Sequence, residues 1–245
     1  MSRVYVADDK KGVTDKVTSL FEEALTKPRT GAEGFFTVGL SGGSAVTITI
    51  HVLKQLHIDD FQKWRFFFCD ERLVPFEHPE STFGAFRSLI SSVPGLSEAF
   101  FVPINPALPL DDCERDYALR LKQFFPGRKL PDLDICVLGM GPDGHTCSLF
   151  PHHDLLAESK RWVAAIADSP KPPMQRVTFT LPVLNGSKNV IFIVTGESKA
   201  AALRAILAGL PDNPALPASL VHPNPGLLHW VCDKPAAAAY MKELL

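Results

Sequence analysis

The sequence predicts an α/β protein built on a mostly parallel sheet covered by helices. Three observations carry that prediction. Short apolar runs recur along the 245 residues, stretches with helical spacing lie between or after them, and glycine-rich or charged turns follow four of the five runs. Strands buried on both faces read as continuous apolar runs, and their alternation with helices favours parallel pairing. With 46% hydrophobic and 21% charged residues the chain can bury a sizeable core, and one domain spanning residues 1–245 is the simplest division.

The strand candidates are residues 35–40, 65–69, 133–138, 189–195 and 227–231, mostly rich in β-branched or aromatic side chains. The helical patterns are residues 13–25, 44–56, 112–125, 198–207 and 235–245. In the third of these, Tyr117, Leu121 and Phe124 share one face, Asp111 and Asp112 are N-cap candidates, and Glu114 and Asp116 suit the positive helix end. The proline cluster Pro170, Pro172 and Pro173 separates two apolar stretches, 162–167 and 177–181, and suggests a surface loop or small hairpin over the sheet. A second irregular loop is expected at 211–225.

Several function classes lose support at once. A net charge of −2 argues against a nucleic-acid binder that relies on a basic face, while a local basic pocket for one phosphate stays open. The opening residues do not read as a signal peptide, and no apolar run is long enough to cross a bilayer. Cys69, Cys113, Cys136, Cys147 and Cys232 are scattered, with no CxxC pair, which fits free thiols in a reducing, cytoplasmic setting. His152, His153 and Asp154 are adjacent rather than spaced, which is poor geometry for a metal.

In parallel sheets ligands bind beyond the carboxyl ends of the strands, so the residues that follow each strand matter most. After the first comes Ser41-Gly42-Gly43-Ser44, running into a helix. This is either a tight turn capped by Ser44 or a backbone cradle for an anion at a helix start. After the second comes Asp70-Glu71-Arg72, a self-neutralising cluster or a proton-handling Asp70 beside an anion-binding Arg72. After the third comes Gly139-Met140-Gly141-Pro142-Asp143-Gly144-His145-Thr146. Three glycines and a proline demand a special path there, and that path can bring a carboxylate and an imidazole to one side of a pocket. Histidine accepts a proton from water near neutrality, which favours a functional role for His145. After the fourth, Lys199 stands in a first helical turn, against the dipole unless an anion binds there. With Arg72 and Lys199, Arg87 and Arg176 are further cations that could surround a phosphate.

These loops together resemble the 6-phosphogluconolactonase family. The matching stretches are GLSGGS at 39–44, FCDERLVPFEHPESTFG at 68–84, LGMGPDGHTCSLFP at 138–151, DSPKPPMQRVTFTLPVLN at 168–185, TGESKAA at 195–201 and LPAS at 216–219. The resemblance implies a three-layer α/β/α fold with a Rossmann-like sheet, no metal and no organic cofactor, and hydrolysis of 6-phosphoglucono-1,5-lactone; a monomer in the cytoplasm is expected. It makes His145 the general base, sets Asp70 and Arg72 along the reacting end with Asp143 or Asp70 orienting the imidazole, and gives phosphate or neighbouring oxygens to Gly42, Gly43, Ser44, Arg176 and Lys199, with Ser41 in the same loop. Thr82 and Cys147 stand where some relatives carry asparagine and alanine, which leaves residue 82 without an assigned role. Two other readings remain. A related sugar-phosphate isomerase or deaminase would use Asp70 as its acid–base group, and a non-catalytic sensor would need a partner-binding segment that is not visible.

Overall fold

The computed structural model describes residues 2–29, 34–58, 60–209 and 216–243. Ten strands and seven helices alternate along these residues: β1 (Ser2–Ala7), α1 (Lys10–Leu25), β2 (Phe36–Leu40), α2 (Ser44–Gln55), β3 (Trp64–Phe68), β4 (Asp70–Arg72), α3 (Thr82–Ile90), β5 (Phe101–Val102), α4 (Leu110–Gln123), β6 (Ile135–Gly139), β7 (Val163–Ile166), β8 (Arg176–Phe179), α5 (Leu181–Gly186), β9 (Asn189–Val194), α6 (Ala200–Leu207), β10 (Leu227–Asp233) and α7 (Lys234–Met241).

Seven strands form one sheet in the order β1-β10-β9-β6-β2-β3-β5, and every pairing in it is parallel. Strand residues alternate between two separate cores. Phe66, Phe68, Ile135, Val137, Ile191 and Ile193 join Val13, Val17 and Phe21 of α1, the apolar side of α2, and Phe83 and Phe86 of α3. Phe67, Cys136, Leu138, Val190, Phe192 and Trp230 face the other way, onto Tyr117 and Leu121 of α4, Leu203 of α6 and Ala236 and Ala237 of α7. Side chains of period two on a sheet covered on both faces give three layers, α/β/α. Among the described residues no helix is long and apolar enough to cross a membrane.

The order of strands positions the site. The chain starts at one edge, crosses to β2, steps outward to β3 and β5, then returns to the opposite side of β2 as β6. The direction of winding reverses between β2 and β6, which pair side by side through Leu40 and Val137. A crevice opens beyond the carboxyl ends at such a point. The loops after β2 and β6 therefore flank it.

Several local expectations are corrected. The hairpin expected around the proline cluster is present, β7 and β8 pairing antiparallel on either side of it, but it is part of a second sheet, β4-β8-β7, and is buried rather than superficial along β8. Its third strand is the charged triplet Asp70–Arg72, which reads as a loop because no apolar alternation marks it. Helix α4 begins at Leu110 with Pro109 at the cap, so Asp111 and Asp112 lie inside the first turn and act on the dipole rather than as caps. Helix α2 is preceded by Gly43, and Ser44 is its first residue rather than its cap. Edge strand β1, helix α3 and the two-residue β5 carry no signal strong enough to be expected. The start of the 211–225 loop and the last two residues of the 235–245 helix lie outside the described residues.

Candidate active site

The loop after β6 is closed on itself. Gly141 N–H donates to the His145 carbonyl at 2.8 Å, Gly144 N–H to the Gly141 carbonyl at 3.0 Å, and the Thr146 hydroxyl to the Gly139 carbonyl at 2.9 Å. This folds Asp143 and His145 back over Gly141, where a Cβ would overlap the imidazole and the carboxylate together. Glycine is required there by close approach. The outcome is a carboxylate–imidazole pair, Asp143 Oδ1 to His145 Nδ1 at 2.5 Å.

The pair fixes the tautomer. An ionised carboxylate carries only acceptors, so an oxygen at that distance requires the proton to be on Nδ1, which leaves the Nε2 lone pair available. Burial opposes charge on Asp143, but the hydrogen bonds and charges of His145 and Lys171 outweigh it and hold the carboxyl down at about 2. His145 is pushed below the usual histidine value, first by burial and also by the Lys171 charge, against the pull of Asp143 and Asp70. The imidazole packs on Phe150, with ring centroids 5.0 Å apart, and the Arg176 guanidinium lies 5.6 Å from the same ring. At neutral pH it is an uncharged base.

The small sheet brings the second set of groups. Alternation along β4 sends Asp70 and Arg72 to one face and Glu71 to the other. Glu71, 1% exposed, accepts from the Thr82, Phe83 and Arg72 N–H groups and from the Ser81 hydroxyl, so it anchors the start of α3. Asp70 is buried and accepts from the Ser148 hydroxyl at 2.9 Å, within electrostatic reach of His145. Arg72 stands directly opposite Arg176 in the antiparallel register. Like charges so placed repel. Arg72 is offset by Glu80, at 2.7 Å, while its Nε is buried without a partner. Arg176 is 2% exposed, and burial together with the Arg72 charge pushes its value down.

The remaining expected groups divide. Gly43 has φ 67° and ψ −141°, a backbone conformation that glycine supplies, and nothing would obstruct a side chain there. Ser41 is buried with its hydroxyl unpartnered, and Gly42 packs against Thr82, the residue left without a role. Gly196 N–H is held by Asp233, which also caps α7, and this sets the turn carrying Lys199. Burial and then the Lys171 charge push Lys199 down, while Asp143 pulls the other way, so Lys199 sits in reach of both. Arg87 is different. Its guanidinium is half exposed and pairs with Glu98 at 3.0 Å and Glu77 at 3.4 Å, so an anion would have to displace two carboxylates. Its place among the phosphate ligands loses its support. His153, excluded as a metal ligand from its spacing, bonds Asp168 and the Leu155 N–H.

Two residues of the site escaped the sequence reading. Ser148 links Asp70 to Arg176, and Lys171 places its ammonium 3.1 Å from Asp143 Oδ2 and 3.1 Å from His145 Nδ1. The signal for Lys171 was a lone cation inside a turn stiffened by three prolines.

Comparison with known proteins places the chain in a family. The family model for glucosamine-6-phosphate isomerases/6-phosphogluconolactonase matches residues 8–230. The human 6-phosphogluconolactonase is 50% identical over 212 residues, covering 84% of this chain and 81% of the relative. A probable 6-phosphogluconolactonase of Drosophila melanogaster is 40% identical over 92% of this chain and 95% of its own. The crystal structure of a 6-phosphogluconolactonase from Thermotoga maritima superposes with a TM-score of 0.78 over 96% of this chain and all of its own, at 25% identity. The chain belongs to the glucosamine-6-phosphate isomerase/6-phosphogluconolactonase family.

Proposed function

We propose that this chain hydrolyses 6-phospho-D-glucono-1,5-lactone to 6-phosphogluconate, the second step of the oxidative pentose phosphate pathway. The observation that carries the reading is the Asp143–His145 pair, with Nε2 free and the ring held neutral, at the switch point of a parallel sheet. Half-identity to a relative named for this reaction supports the choice of substrate.

The phosphate docks on the Ser41–Ser44 loop, where the first N–H groups of α2 lack helical partners and the buried Ser41 hydroxyl lacks one as well. Lys199 closes on it. His145 Nε2 takes a proton from water, which attacks the lactone carbonyl, and Asp143 steadies the imidazolium that forms. Arg72, with an unpartnered Nε, stabilises the oxyanion. The imidazolium then returns its proton to the departing ring oxygen. Arg176 keeps a smaller share than the sequence suggested, because its Nε and one terminal nitrogen are already engaged by backbone carbonyls.

The chain works as a single-domain monomer in the cytoplasm on this reading. The small sheet shares its core with the large one, and large exposed apolar side chains are scattered at Val6, Leu119, Met174 and Met241. Five free cysteines fit a reducing compartment. The test is acid release from freshly made lactone, corrected for spontaneous opening, with glucosamine-6-phosphate as the control substrate. Turnover of the control and not of the lactone refutes the proposal.

A further inference from the structure

We propose that Lys171 is a positioning residue for the Asp143–His145 pair, delivered to it by a turn that the buried Arg176 holds together. The inference rests on the reading of His145 as the base and adds to it how that base is kept in working order.

The turn is built for the purpose. Arg176 donates from Nε to the Pro173 carbonyl at 3.0 Å, and from one terminal nitrogen to the Lys171 carbonyl at 2.8 Å and the Pro172 carbonyl at 3.3 Å. Three consecutive carbonyls are thus held by one guanidinium that is itself locked in the core. Ser169, fully buried, adds a bond from its hydroxyl to the Lys171 carbonyl at 2.8 Å and accepts the Lys171 N–H at 3.3 Å. A rigid planar fork matched to several acceptors loses little freedom in making these bonds. A lysine on a surface loop would need none of this.

The ammonium arrives on the side of the ring away from Nε2. It bonds Asp143 Oδ2 at 3.1 Å, while Oδ1 receives the imidazole. Both carboxylate oxygens are then committed, and the plane of Asp143 is set. The approach of Nζ to Nδ1 at 3.1 Å is close contact between two groups that each carry hydrogen. It therefore acts through charge. Asp143 and Lys171 together are neutral, so the ring sees little net incentive to keep a proton. The other charged groups in reach are Asp70 from β4, Lys199 from the turn after β9, and Arg176 with Arg72 beyond Phe150. Of these Asp70 alone favours the imidazolium.

Removing the lysine leaves Asp143 unbalanced, and the base is then protonated at higher pH and less well oriented. Steady-state kinetics of the full chain with fresh 6-phosphogluconolactone would compare Lys171→Met and Lys171→Arg with the parent, alongside NMR titration of the His145 ring. Lys171→Met should lower kcat by roughly tenfold or more, short of the ~10²-fold or larger loss from deleting the base, with KM little changed. The acid limb of kcat/KM and the ring titration should both move to higher pH, and Lys171→Arg should recover most of each. A raised KM with an unmoved limb would make Lys171 a substrate ligand and overturn the inference, as would an unmoved ring titration. Since that titration needs no turnover, an active His145→Ala variant would defeat the reading of the base without deciding this one.

Discussion

Replacing Glu71 with alanine is the most demanding test of how the site is supported. Its carboxylate receives the Thr82 and Phe83 N–H groups at 2.7 Å each, the Arg72 N–H at 2.8 Å and the Ser81 hydroxyl at 3.3 Å. Hydrogen bonds to a charged group contribute about 1.5–3 kcal/mol each, and a buried donor left unpaired costs about 1–3 kcal/mol. The substitution orphans the two N–H groups that open α3, while relief of the carboxylate's own burial offsets part of the loss. A destabilisation of about 3–4 kcal/mol follows, a large share of the ~5–15 kcal/mol typical of a folded domain. Urea unfolding followed by tryptophan fluorescence reads it directly, as a lower midpoint with an unchanged slope. Glu71→Gln keeps the shape and one acceptor oxygen and should lose about half as much. A loss below about 1 kcal/mol for Glu71→Ala would show that α3 does not depend on this anchor, and the derived division of labour within Asp70-Glu71-Arg72 would fall.

Other outcomes follow from the same geometry. Gly141→Ala should cut kcat by at least ~10²-fold with the fold retained by circular dichroism, because the new methyl occupies the space of the imidazole and of Asp143. Wild-type turnover there would mean that the pair is not used. The acid limb of kcat/KM should fall below the usual histidine range, since His145 is active when neutral and burial and Lys171 depress it; a limb above that range contradicts the assignment. His229 is buried, stacked near Tyr5, with Nδ1 unpartnered, and burial followed by the Arg3 charge pushes it down to about 4. The unfolded chain takes up a proton near 6.5 that the folded one refuses, so stability is lost as pH falls from there toward about 4, by up to ~3 kcal/mol. His229→Phe should lose less over that window in urea titrations at stepped pH, and equal losses would refute the burial argument.

How far the sequence carries such an account depends on what marks each element. The five central strands were legible because burial on both faces leaves continuous apolar runs, and β2 and β6 have interiors with no polar residue apart from Thr37. The loops after them were legible because glycine marks places where the backbone turns unusually, as at Gly43, or where side chains close on it, as at Gly141. Strand β1 was not, since its outer position leaves a mixed pattern of exposed and half-buried residues. Strand β4 was hidden by charge, although its alternation separates Asp70 and Arg72 from Glu71 once the partner strand is known. The contact of Lys171 with Asp143 spans 28 positions in sequence and depends on how Arg176 folds the proline turn, which no local pattern encodes. Arg87 shows the converse, a cation singled out for its charge and its place near a loop and found paired with surface carboxylates.

The central claim is that the neutral imidazole of His145 activates water for attack on the lactone. Its most direct measurement is the turnover of His145→Ala on fresh 6-phosphogluconolactone, net of spontaneous hydrolysis, with the affinity for 6-phosphogluconate measured in parallel. In that variant kcat should fall by at least ~10²-fold with product binding preserved. Near-parental turnover would contradict it.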